Sequence, residues 1–581
     1  MPVIKYQSII DGTASGKLLV SDTGLSFWGG VDAESGLIID QHHPLHGQNV
    51  SGKILALPSG RGSCSGSGVM LELLLNKVAP AALILFETED ILTLGVMVSE
   101  VLFDHSIPVC RIDAAEFELL ESDLTAEIYD GVIHTGESSI KAPKKHVVAA
   151  GDIYRTSLLL SESDQMMLDG GNGKAAQLAM EIVVRMAEIQ GARELVDVEQ
   201  AHIDACVYNG PSSLQFAKQL ESLGGKVRIP TTLNSLSVDK RRWKQHGVND
   251  EFGAAASELG DAYMAMGATL SYTCAPYLLE SAPEFGQQIV WAESNAVTYA
   301  NSVIGARTQK YPDFLDACIA LTARAPAAGA HLDQGRVPSL KISVVNIDKD
   351  RVNDAFWPLL GYHIGSRSQN EIPIVFGLEE FAPTADNHKA FSAAFATTSS
   401  VAMYHLAGIT PEADEAVNSL CSTIKSIDVD IPDLVTSWEE LNSSSNENVD
   451  VICLGNPHFS QTECTVLSTL CAGRNKHSAV AVIVTLGRDV YSIVKETGVI
   501  DNLETFGVQF INDTCWCMIE EPIIPVNAKV LMTNSGKYAH YGPGLVNRPA
   551  HFGSLGECVE AACSGKRVNT LPDWLIKSLP A

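Results

Sequence analysis

The chain has 581 residues, 46% apolar and 19% charged, a balance typical of a folded globular protein of about two to four domains. Its 40 basic and 69 acidic side chains give a net charge of −29, which argues against non-specific binding to nucleic acid or to an anionic membrane surface. We find no apolar run of membrane-spanning length and no signal sequence, so we expect a cytoplasmic protein.

The first clear motif is the glycine- and serine-rich turn Gly60-Arg61-Gly62-Ser63-Cys64-Ser65-Gly66-Ser67-Gly68. Apolar runs predict a buried strand over 54–57 before it and a helix over 69–75 after it. Such a turn aims backbone amides at whatever lies at the helix N-terminus. The motif alone leaves two alternatives open, an anion-binding loop with a catalytic hydroxyl and a turn that is rich in glycine for close packing.

Strands and helices alternate after this turn. Apolar runs predict strands over 81–86 and 108–112, with a helix over 91–103 between them, which indicates a domain with parallel strands. A polar stretch with Pro, Gly and Lys begins at Thr135 and predicts a linker. Beyond it, an apolar stripe at helical spacing predicts a helix over 174–190.

Four apolar runs near the C-terminus predict a parallel sheet, because helical patterns separate them; they cover 451–455, 479–485, 506–511 and 530–533. Ligands of open parallel sheets bind beyond the carboxyl ends of the strands. His458, Cys515 and the pair Asn534-Ser535 follow three of these strands. We therefore expect them to meet at one edge of the sheet, in a pocket whose chemistry this pattern leaves open.

A polar cluster lies upstream, between Glu293 and Thr308. Buried polar groups need hydrogen-bond partners, so the cluster is either a structural network or a substrate site. Arg307 is the candidate for gripping a carboxylate with two hydrogen bonds. The alternative is a structural arginine paired with Glu293.

Taken together, these segments resemble aconitase X, a branch of the aconitase superfamily. The matching stretches keep their order over nearly the whole chain: Phe27–Asp32, Gly60–Ser63, Thr273–Tyr277, Glu293–Thr308, Gly455–His458 and Asp513–Cys515. The resemblance implies a multidomain α/β fold, with an N-terminal swivel domain of β/α layers fused to a large catalytic part of α/β/α subdomains with parallel sheets. It divides the chain into a swivel domain (1–140), a linker (141–150), a first catalytic part with Cys274 (151–430) and a C-terminal part with Cys515 (431–581).

The fusion in one chain is similar to the bacterial-type members of that family. It implies an iron-dependent dehydratase that converts cis-3-hydroxy-L-proline to Δ1-pyrroline-2-carboxylate, with a small amino acid as ligand, no nucleic-acid or membrane partner, and a monomer or small homo-oligomer. One alternative is a dehydratase of mevalonate 5-phosphate or another hydroxy acid. The serine turn has few basic neighbours besides Lys53 and Arg61, which mildly disfavours a phosphorylated substrate. An alternative of another class is a non-catalytic metal- or ligand-binding regulator.

The resemblance also assigns catalytic and substrate-binding roles. Ser63 directly follows a Gly-x-Gly, as the proton-abstracting serine does in aconitase-type swivel domains, so Ser63 is the predicted base. Arg61 is predicted to stabilise its alkoxide, and Ser65 and Ser67 are the second choices for the base. The residues predicted to contact the substrate are Asn234, Ser294, Arg307, His458 and Ser67.

For iron, Cys274 and Cys515 match the family's ligands. The split members of the family have a cysteine where this chain has Asn456. Cys453 is the predicted third ligand, although strand alternation turns it away from the face of Asn456. The presence of Asn456, in place of the cysteine of the split members, argues against a standard four-iron cluster. It leaves a mononuclear iron or another iron–sulfur cluster as alternatives.

Overall fold

The computed structural model describes residues 3–136, 158–567 and 571–576. The predicted linker at 141–150 lies outside these residues. The chain forms two compact units. The first comprises Met1–Ala201, Asn209–Ile229 and Tyr311–Ala328, and the second His202–Tyr208, Pro230–Lys310 and Gly329–Ala581. In the described part of the chain, no helix combines the length and the apolar character needed to cross a membrane.

The first unit is built around a mixed sheet of eight strands. Its parallel centre consists of Ala14–Val20, Ile54–Leu57, Ala82–Leu85 and Val109–Arg111. Antiparallel strands extend both edges: Val3–Lys5, Gln7–Ile10, Thr125–Tyr129 and Val132–Thr135. The two innermost parallel strands are buried along their whole length, because both faces of the sheet are covered. The strands predicted near 54–57, 81–86 and 108–112 are confirmed.

Helices and a small two-stranded sheet complete the first unit. The helices are Gly66–Leu75, Ile91–Phe103, Ala114–Phe117, Glu162–Leu168, Lys174–Ile189, Pro211–Ser222 and Leu315–Thr322. The small sheet pairs Leu195–Asp197 with Arg324–Pro326 in antiparallel fashion. The predicted helices over 91–103 and 174–190 are confirmed.

The described residues of the second unit form three sheets. A short one has the strand order Thr231–Leu233, Ala201–Ile203, Val290–Trp291. A parallel sheet of four strands has the order His405–Leu406, Pro373–Phe376, Leu340–Val344, Lys425–Val429. A parallel sheet of five strands has the order Val508–Ile511, Ala481–Thr485, Val451–Leu454, Leu531–Thr533, Ala550–Phe552. The four predicted C-terminal strands are confirmed, and Ala550–Phe552 is an edge strand that the sequence pattern did not predict.

The second unit also contains twelve helices among the described residues. They are Asp250–Ala265, Ser294–Tyr299, Phe356–Ser368, Ala385–Thr398, Ala413–Asn418, Ile431–Glu440, Gln461–Cys471, Arg488–Glu496, Val499–Phe506, Gly536–Val546, Leu555–Ser564 and Asp573–Ile576. A π-helical turn and several 3-10 turns connect them: Ala300–Ile304, Pro276–Leu278, Gly329–His331, Asp333–Arg336 and Trp516–Met518. A separate apolar core forms at each of the two larger sheets.

Candidate functional site

The serine turn lies in the first unit, between the strand Ile54–Leu57 and the helix Gly66–Leu75. The backbone at Gly62 is left-handed, with φ of 79°, a conformation that favours glycine. Ser63 follows it and is buried. Its Oγ accepts a hydrogen bond from the backbone N–H of Ser65 at 3.3 Å and lies 3.4 Å from the Ser65 hydroxyl. An oxygen that accepts a hydrogen bond from a backbone amide at a helix N-terminus lies where negative charge is stabilised.

Close packing explains the other glycines of the turn. The helix begins at Gly66, three residues before the predicted start. A Cβ atom at Gly66 would lie 3.0 Å from Ile91, and one at Gly68 would lie 2.9 Å from the Asn209 amide. Both alternatives raised by the motif therefore have a physical basis, since Gly62 permits the turn and the later glycines permit the packing.

The remaining polar residues of the turn have partners of their own. The Arg61 guanidinium pairs with the buried Asp40 carboxylate at 3.1 Å. The Ser67 hydroxyl donates to the carbonyls of Cys64 and Asp313, at 3.1 Å each. These bonds fasten the first helical turn to the segment at residue 313, within the same unit. A substrate-binding role of Ser67 stays a prediction, and it would compete with these two hydrogen bonds.

A cluster of thiols lies in the second unit, beyond the carboxyl ends of the five-stranded sheet. Cys515 follows the strand Val508–Ile511 and interacts with the neighbouring Cys517 thiol. Cys515 also interacts electrostatically with Cys274. The Asn456 amide donates to the Cys517 sulfur at 3.0 Å. Asn456 thus contacts the thiol cluster through Cys517.

His458 joins this cluster to the loop of Cys274. Its backbone N–H donates to the Cys274 sulfur at 3.3 Å, and its Nε2 lies 2.8 Å from the Thr514 carbonyl. A carbonyl can only accept, so Nε2 carries the proton and Nδ1 accepts from the Thr273 hydroxyl at 3.1 Å. Burial lowers the pKa of His458 to about 4, so the ring is neutral near pH 7. Both ring nitrogens therefore hold the scaffold around the thiols.

An ion pair lies beside the thiols, between Lys537 and Glu293. The Lys537 Nζ is 2.7 Å from Glu293 Oε1, and both side chains are less than a tenth exposed. Burial raises the pKa of Glu293, but the Lys537 ammonium and the Asn295 donors outweigh it and lower that pKa to about 2. Lys537 also interacts electrostatically with Cys515 and Cys517. The site therefore carries a fixed positive and a fixed negative charge near pH 7.

Two predicted substrate residues, Asn234 and Ser294, contact Glu293. The Asn234 amide donates to Glu293 Oε2 at 3.2 Å and also bonds Asp204. The Ser294 hydroxyl lies 3.4 Å from Glu293 Oε1. The structure thus brings both residues to the ion pair, where they orient the carboxylate.

Arg307 lies elsewhere in the second unit, and Cys453 lies in the central strand of the five-stranded sheet. Arg307 donates to the His331 carbonyl at 3.1 Å and pairs with Asp333, on the wall of a separate cavity of about 200 Å³. The alternative of an Arg307–Glu293 pair is wrong, since Lys537 occupies that position. Cys453 is buried in the strand Val451–Leu454, and its electrostatic neighbours include Cys558. Roles of Arg307 toward the substrate and of Cys453 toward a metal stay predictions.

The thiol cluster fits an iron group by its donor chemistry. Thiolate sulfur is a ligand that iron–sulfur groups select. The neighbouring Cys517 thiol and the Lys537 ammonium lower the pKa of the Cys515 thiol against the effect of burial. Burial raises the pKa of the Cys274 thiol well above its usual value. The Tyr538 hydroxyl is buried with no hydrogen-bond partner among the described residues, and it interacts electrostatically with Cys453 first and then with Cys517 and Cys515. A bound group could supply its missing acceptor.

The arrangement is not a closed protein cage. Within residues 3–136, 158–567 and 571–576, no group of three or more His, Cys, Asp or Glu side chains could hold a metal ion. An iron-binding role of Cys274 and Cys515 therefore stays a prediction, and an iron group there would need ligands from outside the chain. The sequence did not indicate Cys517 as a candidate ligand, because only one residue separates it from Cys515, whereas about two to four residues separate the paired cysteines of zinc-binding motifs. Lys537 was missed although it lies four residues after a predicted strand end, a position typical of ligand-binding groups.

Comparison with known proteins covers nearly the whole chain. Family models described as the aconitase X swivel, first, second and third domains match residues 3–135, 157–334, 341–439 and 449–564. The chain is 50% identical to the cis-3-hydroxy-L-proline dehydratase of Hypocrea jecorina, over 99% of this chain and 98% of that protein. It is 47% identical to the protein of the same name from Pseudomonas aeruginosa, with the same coverage of both chains.

More distant relatives match only part of the chain. The phosphomevalonate dehydratase large subunit of Methanothermobacter thermautotrophicus is 33% identical, over 68% of this chain and 96% of that protein. The crystal structure of Thermococcus kodakaraensis aconitase X in its holo-form superposes with a TM-score of 0.63 at 28% identity, covering 70% of this chain and 100% of that chain.

Proposed function

The chain belongs to the aconitase X family, and on that premise we propose that it is an iron-dependent dehydratase that converts cis-3-hydroxy-L-proline to Δ1-pyrroline-2-carboxylate. One observation carries the proposal. The chain matches two proteins of that name from end to end, so that one polypeptide holds both the serine turn and the thiol cluster. The proposed division is a swivel domain over 1–140, a linker over 141–150 and catalytic parts over 151–430 and 431–581. The swivel-domain match over 3–135 supports the first boundary, while the other family models divide the catalytic region into three matches, over 157–334, 341–439 and 449–564.

The first step of the proposed reaction is removal of the α-proton by Ser63. A serine hydroxyl is a weak base near pH 7 unless its alkoxide is stabilised. The Ser65 amide, 3.3 Å from Ser63 Oγ, and the N-terminus of the helix Gly66–Leu75 supply that stabilisation. Arg61 contributes less than its charge suggests, because Asp40 neutralises it.

The second step is departure of the 3-hydroxyl group. The α-proton moves to the Ser63 alkoxide, the former C–H electrons form the C2–C3 double bond, and the C3–O bond breaks with its electrons on oxygen. The departing hydroxide takes up the proton that Ser63 returns and leaves as water, which restores the alkoxide. The enamine then tautomerises to Δ1-pyrroline-2-carboxylate. Cys274 and Cys515, with Cys517 beside them, would hold iron, which when bound supplies Lewis-acid assistance to the leaving hydroxyl.

The alternative substrate, mevalonate 5-phosphate, needs a pocket for a dianionic phosphate. Such pockets use several cations. The nearest candidate at the serine turn, Arg61, is already paired with Asp40. The relatives named for that substrate include separate large and small subunits, whereas this chain matches both. We therefore place the hydroxyproline reaction first.

A panel of substrates tests the proposal. Iron-loaded protein is incubated separately with cis-3-hydroxy-L-proline, mevalonate 5-phosphate and citrate, and the products are followed by NMR. We expect pyrroline-2-carboxylate from the first and no conversion of the others. Turnover of mevalonate 5-phosphate alone would refute the substrate, and no turnover of any compound by protein with bound iron would favour the regulator.

A further inference from the structure

Lys537 is a buried ammonium group with unused hydrogen-bond donors. It lies in the first turn of the helix Gly536–Val546, and its side chain is 7% exposed. An ammonium group has three donors. Among the described residues its hydrogen-bond acceptor is Glu293 Oε1 alone, at 2.7 Å. Buried donors without acceptors are costly, above all on charged groups, so two acceptors are expected from a bound molecule.

A second buried lysine of the same unit shows the contrast. Lys389 is 3% exposed and uses all three of its donors. It donates to the His458 carbonyl at 3.1 Å and pairs with Asp386 at 3.3 Å and with Glu463. The fold can therefore satisfy a buried lysine completely, and it does not do so at Lys537.

Glu293 has acceptor capacity left on one oxygen. Its Oε1 accepts from Lys537, from the Asn295 side chain at 2.7 Å and from the Asn295 backbone at 3.3 Å, with Ser294 at 3.4 Å. Among the described residues its Oε2 accepts one hydrogen bond, from Asn234 at 3.2 Å. A carboxylate offers about four lone-pair sites, two on each oxygen. One site on Oε2 therefore remains for a ligand donor.

We propose that the Lys537–Glu293 ion pair recognises the zwitterionic end of an α-amino acid, with the ammonium of Lys537 binding the α-carboxylate and Oε2 of Glu293 binding the amino group. The inference rests on the proposed function, whose substrate is a cyclic α-amino acid. It gives Lys537 the carboxylate-binding role predicted for Arg307. Asn234 and Ser294 become positioning residues that hold Glu293.

Binding of L-proline is compared with binding of two analogues, each of which lacks one charged group of the zwitterion. L-Proline lacks the 3-hydroxyl and is not dehydrated, so its binding is measured without turnover. L-Prolinamide lacks the carboxylate, and (S)-tetrahydrofuran-2-carboxylate lacks the amino group. We expect the iron-loaded wild-type protein to bind L-proline about 10- to 100-fold more tightly than either analogue by isothermal titration calorimetry, the effect of losing a charge-assisted hydrogen bond.

The variants should remove the two preferences separately. Lys537→Met is expected to abolish the preference for L-proline over L-prolinamide, and Lys537→Arg to restore part of it. Glu293→Gln is expected to abolish the preference over tetrahydrofuran-2-carboxylate. Lys389→Met is the matched control, because it removes an equally buried lysine and should keep both preferences. The double variant Glu293→Gln/Lys537→Met leaves no unpaired charge, and it should lose both preferences while keeping the wild-type circular dichroism spectrum.

The outcomes distinguish this inference from the proposed function. If the wild type dehydrates cis-3-hydroxy-L-proline but a folded Lys537→Met or double variant keeps the preference for the carboxylate, the ion pair is not the recognition element and the inference alone fails. If Lys537→Met loses iron but keeps that preference, Lys537 serves the metal group and the inference is again overturned. A wild type with bound iron that neither dehydrates hydroxyproline nor binds L-proline overturns both.

Discussion

Removing both charges of the Lys537–Glu293 pair should destabilise the second unit by less than the sum of the losses from removing each charge alone. The pKa of Glu293 lies at about 2, against an ordinary 4.5, even though burial alone would raise it. Each tenfold change in an ionisation constant corresponds to about 1.4 kcal/mol, so the surroundings favour the carboxylate by about 3 kcal/mol. Breaking a buried pair by neutralising one partner typically costs about 3–5 kcal/mol.

We therefore expect Glu293→Gln and Lys537→Met each to lower the free energy of unfolding by about 3–5 kcal/mol. The double variant should lose less than the sum by about 3 kcal/mol, because no charge is left without a partner. The assay is urea unfolding of the iron-free protein followed by tryptophan fluorescence. Trp291 and Trp516 are suitable reporters, since both are buried and next to this site in sequence.

An exposed pair provides the control for this experiment. Lys349 and Glu380 are 2.9 Å apart and largely exposed, so Glu380→Gln should leave the unfolding midpoint unchanged. Additive losses in the double variant, or a Glu293→Gln protein as stable as the wild type, would refute the reasoning that the two buried charges depend on each other.

Three further predictions concern catalysis, the metal and pH. Ser63→Ala should lower kcat by about 100- to 10,000-fold with iron content unchanged, and full activity would exclude Ser63 as the base. Cys274→Ala and Cys515→Ala should each lower the iron content measured by mass spectrometry, whereas equal loss from Cys453→Ala would restore Cys453 as a ligand. Folding lowers the pKa of Glu293, so its carboxylate stabilises the protein fully above pH 4.5, and this stabilisation is lost as the pH falls toward 2. In urea unfolding between pH 7 and pH 3, the free energy of unfolding should therefore fall less in Glu293→Gln than in the wild type. Equal falls in the two proteins would contradict the lowered pKa.

Local patterns predicted the elements of this fold because each pattern reports its own stretch of chain. The apolar runs at 451–455 and 530–533 end within a residue of the strands Val451–Leu454 and Leu531–Thr533. The strand Ala550–Phe552 escaped prediction because three residues are too few to show a period. The helix at the serine turn begins earlier than predicted, since glycine disfavours helices unless tertiary packing requires it, as at Gly66.

The candidate site was predictable only in part, because its key contacts join distant parts of the chain. The order of the parallel strands was enough to bring His458 and Cys515 to one edge. The partner of Glu293 could not be predicted in this way, because Lys537 lies 244 residues away in sequence and Arg307 is a cation much nearer in sequence. Arg307 instead pairs with Asp333. Which of two cations reaches a buried carboxylate is decided by tertiary packing, which residue spacing does not report.

The central claim is tested most directly by dehydration of cis-3-hydroxy-L-proline by anaerobically purified, iron-loaded protein. A coupled assay follows pyrroline-2-carboxylate, with protein treated with an iron chelator measured beside it. We predict turnover by the loaded protein, its loss after chelation and its return when iron is added back. Absence of turnover with iron demonstrably bound, or equal turnover after complete removal of iron, would contradict the account.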